Sequence, residues 1–175
     1  MRFVIAAAAI TGLLVGCGTM ESMTERGPTA RATLDPTKDS GVKGTATFTQ
    51  KGEKVRLAAN ISGLKPDQEH GFHVHEKGDC SSGDGMSAGG HFNPLGKPHA
   101  HPSTLDRHAG DMFALKADDY GNATLSIELD VITVTESPTG IIGRSLIVHA
   151  QPDDYRTQPT GNAGARVACG VIQEG

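Results

Sequence analysis

Six histidines and one aspartate occur in this chain with an order and spacing that suit metal binding. Two of them form the pair His73-Val74-His75. In a β-strand both imidazoles of such a pair lie on one face, because side chains alternate between the faces. Imidazole nitrogens suit copper and zinc, so two such sites side by side predict redox chemistry on a small molecule. The candidate ligands, in chain order, are His73, His75, His91, His99, His108, Asp111 and His149.

Short β-strands separated by glycine- and proline-rich turns are predicted throughout the region that carries these ligands. No stretch has the periodicity of a useful amphipathic helix, so the pattern predicts an all-β sandwich or barrel. A hairpin turn is predicted at Lys51-Gly52-Glu53. The predicted strands are Gly41–Gln50, Val55–Ile61, Gly71–His75, Asn122–Leu129, Ser145–His149 and Arg166–Ile172.

Two long loops interrupt the predicted strands. Glu76–Asp111 contains most of the histidines, and Ala150–Ala165 is rich in proline and glycine. Long loops without secondary structure in a compact domain are usually functional. We expect metal coordination to order both loops.

Composition restricts the possible partners and the make-up of the core. The 175 residues carry a formal net charge of −4, which argues against nucleic acid as a partner. Aromatic residues make up 4% of the chain and tryptophan is absent, so we expect a core of Val, Ile, Leu and Ala. The 23 glycines imply many turns and loops. The length suggests one domain.

The N-terminal sequence has the pattern of an export signal. Met1-Arg2 precedes an apolar run, Phe3–Val15, that is too short to span a bilayer. Leu14-Val15-Gly16-Cys17 resembles the lipobox of bacterial lipoproteins, in which the cysteine is acylated and becomes the first mature residue. Gly18 at the next position resembles lipoproteins sent to the outer membrane. The alternatives are an ordinary cleaved signal with a soluble product and, less favoured, a buried N-terminal helix.

These features predict three parts of the chain. Residues 1–16 are a lipoprotein signal peptide, residues 17–40 are a lipidated cysteine with a flexible tether, and residues 41–175 are the folded domain. The tether is predicted because its polar, Pro- and Gly-containing sequence cannot bury enough apolar surface to offset the entropy of ordering it. The expected location is the periplasm or cell envelope, with the protein anchored to the outer membrane through the lipid on Cys17.

Cysteine usage agrees with export. With Cys17 taken by lipid, Cys80 and Cys169 remain, and a pair in an exported domain is most simply a disulfide. A disulfide that closes the loop from Cys80 to Cys169 would contribute roughly 4–5 kcal/mol to the stability of the folded state in the chain-entropy model. The alternative, that both cysteines bind metal, is disfavoured because histidines already supply the ligands.

Four motifs together resemble the copper/zinc superoxide dismutases, specifically the bacterial periplasmic type. The resemblance covers about residues 41–173. Its motifs, in order, are Gly71-Phe72-His73-Val74-His75-Glu76, Gly90-His91-Phe92-Asn93-Pro94, His108-Ala109-Gly110-Asp111 and Gly161-Asn162-Ala163-Gly164-Ala165-Arg166-Val167-Ala168-Cys169-Gly170-Val171-Ile172.

The resemblance implies an eight-stranded Greek-key flattened β-barrel that holds one copper and one zinc ion per subunit. It implies dismutation of superoxide to dioxygen and hydrogen peroxide, with copper changing valence and His91 delivering a proton. His91 would be shared between the metals. The implied copper ligands are His73, His75, His91 and His149, and the implied zinc ligands are His91, His99, His108 and Asp111.

Further roles follow from the same resemblance. Asp153 would link His73 to His99, with Asp154 as the competing candidate by pattern alone. Arg166 would guide the anion to copper and could also hold the Cys80 loop through backbone hydrogen bonds. Thr160 and Gly164 would narrow the channel. The family includes monomers and dimers, so a homodimer is possible.

The remaining histidines and one lysine receive plainer interpretations. His70 is expected to be a hydrogen-bonded structural residue, and His101 to be solvated, although it could rival His99 as a zinc ligand. The loop Ala150–Ala165 lacks the lysines that steer superoxide in eukaryotic relatives. Lys77 is therefore a candidate for part of the local positive potential.

Two other functions compete with the enzyme. A periplasmic protein that stores or buffers copper and zinc would keep the ligands but would not need Arg166 or the channel residues. A metal-free binding module would not need seven intact ligand positions. Catalytic turnover discriminates them, because a storage protein binds metal without fast dismutation.

Overall fold

The computed structural model describes residues 27–175, which fold almost entirely into β-strands. One turn of 3₁₀ helix, Met86–Ala88, lies in the first long loop. No helix within residues 27–175 is long and apolar enough to cross a membrane. The strands are β1 Thr29–Pro36, β2 Lys43–Lys51, β3 Lys54–Ser62, β4 Glu69–His70, β5 Phe72–His75, β6 Leu115–Lys116, β7 Ala123–Leu129, β8 Ser145–His149, β9 Arg166–Val171 and β10 Gln173–Glu174.

Eight of these strands form one curled antiparallel sheet. Its order is β5-β8-β9-β1-β2-β3-β7, with β10 also paired to β1, while β4 and β6 form a separate two-stranded sheet. The strand β3 alternates buried and exposed residues along its length, with Val55, Leu57, Ala59 and Ile61 inward. A sheet that buries one face needs this period of two. The predicted all-β barrel is confirmed.

The strands that carry clear alternation lie where the sequence predicts them. The hairpin joining β2 and β3 pairs Lys51 with Lys54, and Gly52 takes a φ of 58° in its turn. Glycine adopts a positive φ without steric cost, which is why the turn forms there.

The prediction that residues 17–40 form a flexible tether is wrong for residues 29–40. Thr29–Pro36 is strand β1, which lies between β9 and β2 in the sheet and places Ala30, Ala32 and Leu34 in the core. The polar residues that suggested a linker face outward, and the small inward residues fit a closely packed sheet. Thr37–Ser40 is a turn, closed by a hydrogen bond from the Ser40 amide to the Thr37 carbonyl. The predicted signal peptide and Cys17 lie outside the described residues.

Strand β5 is buried on both faces. Phe72 and Val74 belong to the hydrophobic core, and His73 and His75 point the other way, under the long loops. The loop Glu76–Asp111 folds back along this strand, with antiparallel bridges between His73 and Asp111 and between His75 and His91. The pleat and these bridges bring distant ligands to one place.

The predicted disulfide is confirmed and ties the first loop to the sheet. Cys80 in the loop is bonded to Cys169 in β9, across a sequence separation of 89 residues. Cys169 packs with Ala88 and Ile147, so the covalent link ends in a small apolar cluster.

Candidate metal centre

Four histidines converge on the outer side of β5. His73 and His75 come from β5, His149 from the end of β8, and His91 from the loop bridged to His75. All four are buried, and each offers one nitrogen within 4.8 Å of the others. The ladder between β8 and β9 shifts register at Val148/His149, which places His149 at the irregular end of the strand.

Backbone carbonyls fix the orientation of two of these rings. His75 Nδ1 donates to the Gly89 carbonyl at 3.0 Å, and His149 Nδ1 donates to the Gly164 carbonyl at 3.3 Å. A carbonyl only accepts, so the Nδ1 atoms carry the protons and the Nε2 atoms keep their lone pairs. The two Nε2 atoms lie 3.3 Å apart, and their lone pairs are available to one metal.

A second group of ligands surrounds Asp111. Asp111 Oδ1 lies 3.1 Å from His91 Nδ1, 2.9 Å from His99 Nδ1 and 3.4 Å from His108 Nδ1. All four residues are buried, and their ligand atoms lie within 4.8 Å of one another. Three imidazole nitrogens and one carboxylate oxygen suit a four-coordinate zinc site. The other oxygen, Oδ2, accepts from the amides of Ala100 and His108 at 3.1 Å, which fixes the carboxylate.

His91 belongs to both groups. Its Nδ1 faces Asp111, and its Nε2 is buried on the copper side without a hydrogen-bond partner in the described part of the chain. His73 Nδ1 and His108 Nδ1 are likewise buried and unpartnered. Buried polar atoms without a partner are costly. All three belong to the candidate ligand sets, so the donor atoms fit two metal ions joined by one imidazole.

Asp153 lies behind the two groups and connects them. Its Oδ2 accepts from His73 Nε2 at 2.6 Å, and its Oδ1 accepts from His99 Nε2 at 2.9 Å. Burial alone would raise the pKa of Asp153, but the hydrogen bonds from both histidines outweigh it and hold the pKa below its ordinary value. Asp154 is exposed and caps Thr157 instead. A carboxylate in the position of Asp153 fixes the orientation of both rings.

Gly161 makes this arrangement possible. A Cβ at this position would lie 1.8 Å from Asp153 Oδ1, and the residue has a φ of 66°. Any side chain here would displace Asp153 from His99. The predicted motif glycine is therefore a steric requirement of the centre.

Burial holds most copper-side histidines in the neutral form that binds metal. It lowers the pKa of His75 and of His149 well below the ordinary value. It also lowers the pKa of His91 to about 4, despite the opposing contact with Asp111. His99 differs: burial opposes its charge, but hydrogen bonds and charges from Asp111 and Asp153 raise its pKa to about 9. Metal binding at its Nδ1 would displace that proton.

Arg166 lies at the start of β9 and is half-buried. Its Nη1 and Nη2 donate to the carbonyls of Gly85 and Gly89, each at 2.6 Å. Gly89 is also the acceptor of His75 Nδ1, so one carbonyl contacts both the guanidinium and a candidate copper ligand. The guanidinium is therefore fixed close to the copper-side histidines. A fixed guanidinium attracts and orients a small anion.

The remaining predicted site residues have the following places. Gly164 lies at a φ of 78° and presents its carbonyl to His149, while Thr160 is half-buried in the same loop. Their narrowing of a channel stays a prediction. Lys77 is exposed, two residues after His75. His70 is buried, and its Nδ1 donates to the His149 carbonyl at 2.8 Å.

His101 lies outside both groups of ligands. Its Nδ1 contacts the Ser103 hydroxyl at 2.8 Å, and its ring packs against Phe113 and Tyr155. It is half-buried rather than fully solvated. His99 is therefore the residue placed for the zinc group.

Three supporting residues were missed by sequence reasoning. The Tyr155 amide donates to Asp153 Oδ1 at 2.7 Å. The Gln158 side chain makes two hydrogen bonds to the His99 backbone: it accepts from the amide at 2.8 Å and donates to the carbonyl at 2.7 Å. Thr37 donates its hydroxyl to the Arg166 carbonyl at 2.7 Å. Thr37 lies in the segment predicted to be a tether, and the loop residues follow no periodic pattern that could have found them.

The comparisons with known proteins agree with this centre. The family described as "Copper/zinc superoxide dismutase (SODC)" matches residues 42–172. The chain is 48% identical over 139 residues to "Superoxide dismutase [Cu-Zn] 2" of Brassica juncea, covering 75% of this chain and 90% of the relative. It is 44% identical over 137 residues to "Superoxide dismutase [Cu-Zn]" of Paramecium bursaria Chlorella virus 1, covering 75% of this chain and 72% of the relative.

A solved structure shows the same fold. The chain in "Crystal Structure Analysis of the clock protein EA4" superposes with a TM-score of 0.76 at 43% identity, covering 83% of this chain and 93% of that one. The strands, the two ligand groups and the family match lead to one assignment. The chain belongs to the copper/zinc superoxide dismutase family, and it is an enzyme that uses copper and zinc to dismutate superoxide to dioxygen and hydrogen peroxide.

Proposed function

We propose that His73, His75, His91 and His149 hold the copper ion and that His91, His99, His108 and Asp111 hold the zinc ion. The observation that supports this is the pair of ligand groups sharing only His91. Imidazole suits both metals, but three imidazoles with one carboxylate form a four-coordinate set that suits zinc, which leaves the all-imidazole set for copper. Bound copper supplies the electron exchange with superoxide, which zinc cannot supply because it has no redox chemistry.

The chain's own residues would handle the anion and the proton. Arg166, held by two carbonyls, would bind the superoxide anion beside the copper-side histidines. His91 would carry a proton on Nε2 to the product, since that atom is buried on the copper side and has no hydrogen-bond partner among the described residues. Asp153 would hold His73 and His99 in register.

The metal content of single-histidine variants tests the copper ligands and the zinc ligands separately. His75→Ala should lose copper and keep zinc, and His108→Ala should lose zinc and keep copper, each measured by elemental analysis of the purified protein. His101→Ala is the matched control, because His101 lies outside both groups. Loss of both metals to the same extent in every histidine variant would contradict the assignment.

We also propose that the enzyme works in the envelope of a Gram-negative bacterium, anchored by lipid on Cys17 and protecting the envelope from superoxide. The support is the lipobox-like Leu14-Val15-Gly16-Cys17 and the disulfide Cys80–Cys169, a bond that persists in oxidising compartments. The two relatives described above are plant and viral proteins, so the bacterial lipoprotein form depends on the N-terminal sequence.

Membrane fractionation tests the anchor. The parent chain should partition with membranes, and mass spectrometry of its N-terminal peptide should show an acylated Cys17. Cys17→Ser should be recovered in the soluble fraction. A soluble parent with an unmodified cysteine would support the alternative of an ordinary cleaved signal. The possible homodimer stays a prediction, which sedimentation equilibrium checks.

A further inference from the structure

The outer surface of β1–β3 carries a cationic depression of about 490 Å³. We call it the basic face and define it by Thr29, Arg31, Thr47, Thr49, Lys51 and Arg56. It presents three cations and three hydroxyl groups, and no carboxylate from residues 27–175 lines it. This is a local feature of a chain whose formal net charge is −4.

Strand register places these side chains next to one another. Arg31 lies opposite Thr47, and Thr49 lies opposite both Thr29 on β1 and Arg56 on β3. All occupy outward positions, because the intervening residues point into the core. The carboxylate of Glu128 on the neighbouring strand is already paired with Lys54 at 3.2 Å. Arg31, Lys51 and Arg56 are all exposed. Glu128 lies directly opposite Arg56, and Arg56 Nη2 donates to the Ser126 hydroxyl at 3.4 Å.

The N-terminal segment leaves the domain beside this face. The Gln50 amide donates to the Pro28 carbonyl at 2.9 Å, and a Cβ on Gly27 would lie 2.2 Å from the Gln50 carbonyl oxygen. The backbone at Gly27 and Pro28 is thus held against Gln50, which precedes Lys51 of the basic face. Gly27 follows Cys17 by ten residues, so the distance between them can be at most about 36 Å.

The candidate metal centre lies on a different region of the curled sheet's outer surface. Phe72 and Val74 of β5 point into the core, so His73 and His75 lie outside it, under the long loops. In the strand order, β2 is separated from β8 by β9 and β1. A partner on the basic face would leave the metal centre uncovered.

We propose that the basic face docks on a membrane surface of anionic lipid headgroups. Phosphodiester oxygens accept hydrogen bonds from guanidinium, ammonium and hydroxyl groups, which are the groups presented here. The proposal rests on the lipid anchor at Cys17, because that anchor would hold this face within reach of the headgroups. Docking would orient the enzyme with its metal centre toward the aqueous phase.

The test uses the mature chain, residues 17–175, carrying Cys17→Ser, so that no acyl chain contributes to binding. Sedimentation with vesicles measures its partition onto phosphatidylcholine alone and onto phosphatidylcholine mixed with phosphatidylglycerol. We expect binding only to the mixed vesicles, with a bound fraction that falls as salt increases. The variant Arg31→Glu/Lys51→Glu/Arg56→Glu should bind on the order of 100-fold less, because each cation near an anionic surface contributes roughly fivefold.

A matched variant makes the same charge change elsewhere. Lys43→Glu/Lys65→Glu/Lys116→Glu alters three exposed lysines outside the basic face and should retain most of the binding. A milder pair, Arg31→Gln/Arg56→Gln against Lys43→Gln/Lys65→Gln, repeats the comparison without charge reversal. Dismutase activity of every variant reports folding.

Two results would overturn the proposal. One is equal partition onto both kinds of vesicle, and the other is equal loss in the basic-face and matched variants. The anchor is judged separately by the mass of Cys17 in the parent chain. An unmodified cysteine would remove the anchor, and the vesicle measurement would still decide whether the basic face binds anionic lipid.

Discussion

At the scale of single residues, Asp153 should control metal retention without being a ligand. It joins His73 to His99, so Asp153→Asn replaces one acceptor oxygen by a donor that faces an N–H group. Removing partners of this kind typically costs 10- to 100-fold in metal affinity or activity. Competition with a chelator should show a loss of about that size for both metals.

Asp154→Asn is the control for this change. Asp154 is exposed and contacts Thr157 and Arg156, away from the histidines. Its metal affinity should match the parent. Equal losses in the two variants would contradict the role given to Asp153.

The buried histidines should make the metal-free protein sensitive to mild acid. Burial lowers the pKa values of His73, His75, His91 and His149, so between pH 6.5 and about 4 the unfolded chain binds more protons than the folded chain. Stability should therefore fall as the pH falls through this window, by up to about 1.4 kcal/mol per pH unit for each histidine. The raised pKa of His99 adds little here, because His99 is protonated in both states.

Urea unfolding of the metal-free chain at pH 6.5 and at pH 4.5 measures this effect. The metal-loaded chain is the comparison, because bound metal holds the same histidines unprotonated and adds its binding free energy to the stability of the folded state. Constant stability of the metal-free chain between the two pH values would show that the histidines are not held neutral by burial.

Most of the candidate site residues could be predicted from the sequence, because ligand types and spacings are local signals. His73 and His75 share a face through strand alternation alone. Gln158 could not be found, since its partner His99 lies 59 residues away in the first loop. The Tyr155 hydroxyl likewise accepts from the Ala114 amide, 41 residues away and just beyond that loop. Ordinary polar side chains in a loop carry no sign of such distant contacts.

At the scale of elements, β1 should be required for folding. It lies between β9 and β2, so its removal would expose two strand edges and the apolar side chains that pack against Ala32 and Leu34. A chain truncated to residues 41–175 should be largely insoluble, and a chain truncated to residues 27–175 should fold. Circular dichroism and dismutase activity of the two truncations check this.

A soluble, active 41–175 chain would show that β1 is dispensable and that the domain boundary predicted from sequence is adequate. The sequence misplaced that boundary for a physical reason. Ala30 and Ala32 are small inward residues with little β-strand signature, and the turn-forming residues Thr37–Ser40 resemble a linker. The strands β2, β3, β7, β8 and β9 were predictable because their apolar alternation or β-branched content is strong.

At the scale of the whole molecule, the electrostatic field around the metal centre should affect the rate at which the enzyme captures superoxide. The chain is net negative, and Lys77 is an exposed cation shortly after His75. Lys77→Glu should lower kcat/KM by about two- to fivefold at low salt and weaken its salt dependence, because long-range steering is screened by ions. Lys116→Glu, exposed on the small sheet, makes the same charge change as a control.

Stopped-flow rates over a range of ionic strength separate the two variants. If Lys77→Glu and the parent have the same rate and the same salt dependence, Lys77 has no part in steering.

The most direct test of the account is dismutase activity measured together with metal content for the mature chain and for His149→Ala. His149 contributes to the copper group only, and its Nε2 lies 3.3 Å from that of His75. We predict that the parent binds both metals and dismutates superoxide rapidly, whereas His149→Ala keeps zinc, loses copper and loses activity. A parent that binds both metals without turnover would favour metal storage, and a His149→Ala variant that keeps copper and full activity would contradict the proposed centre.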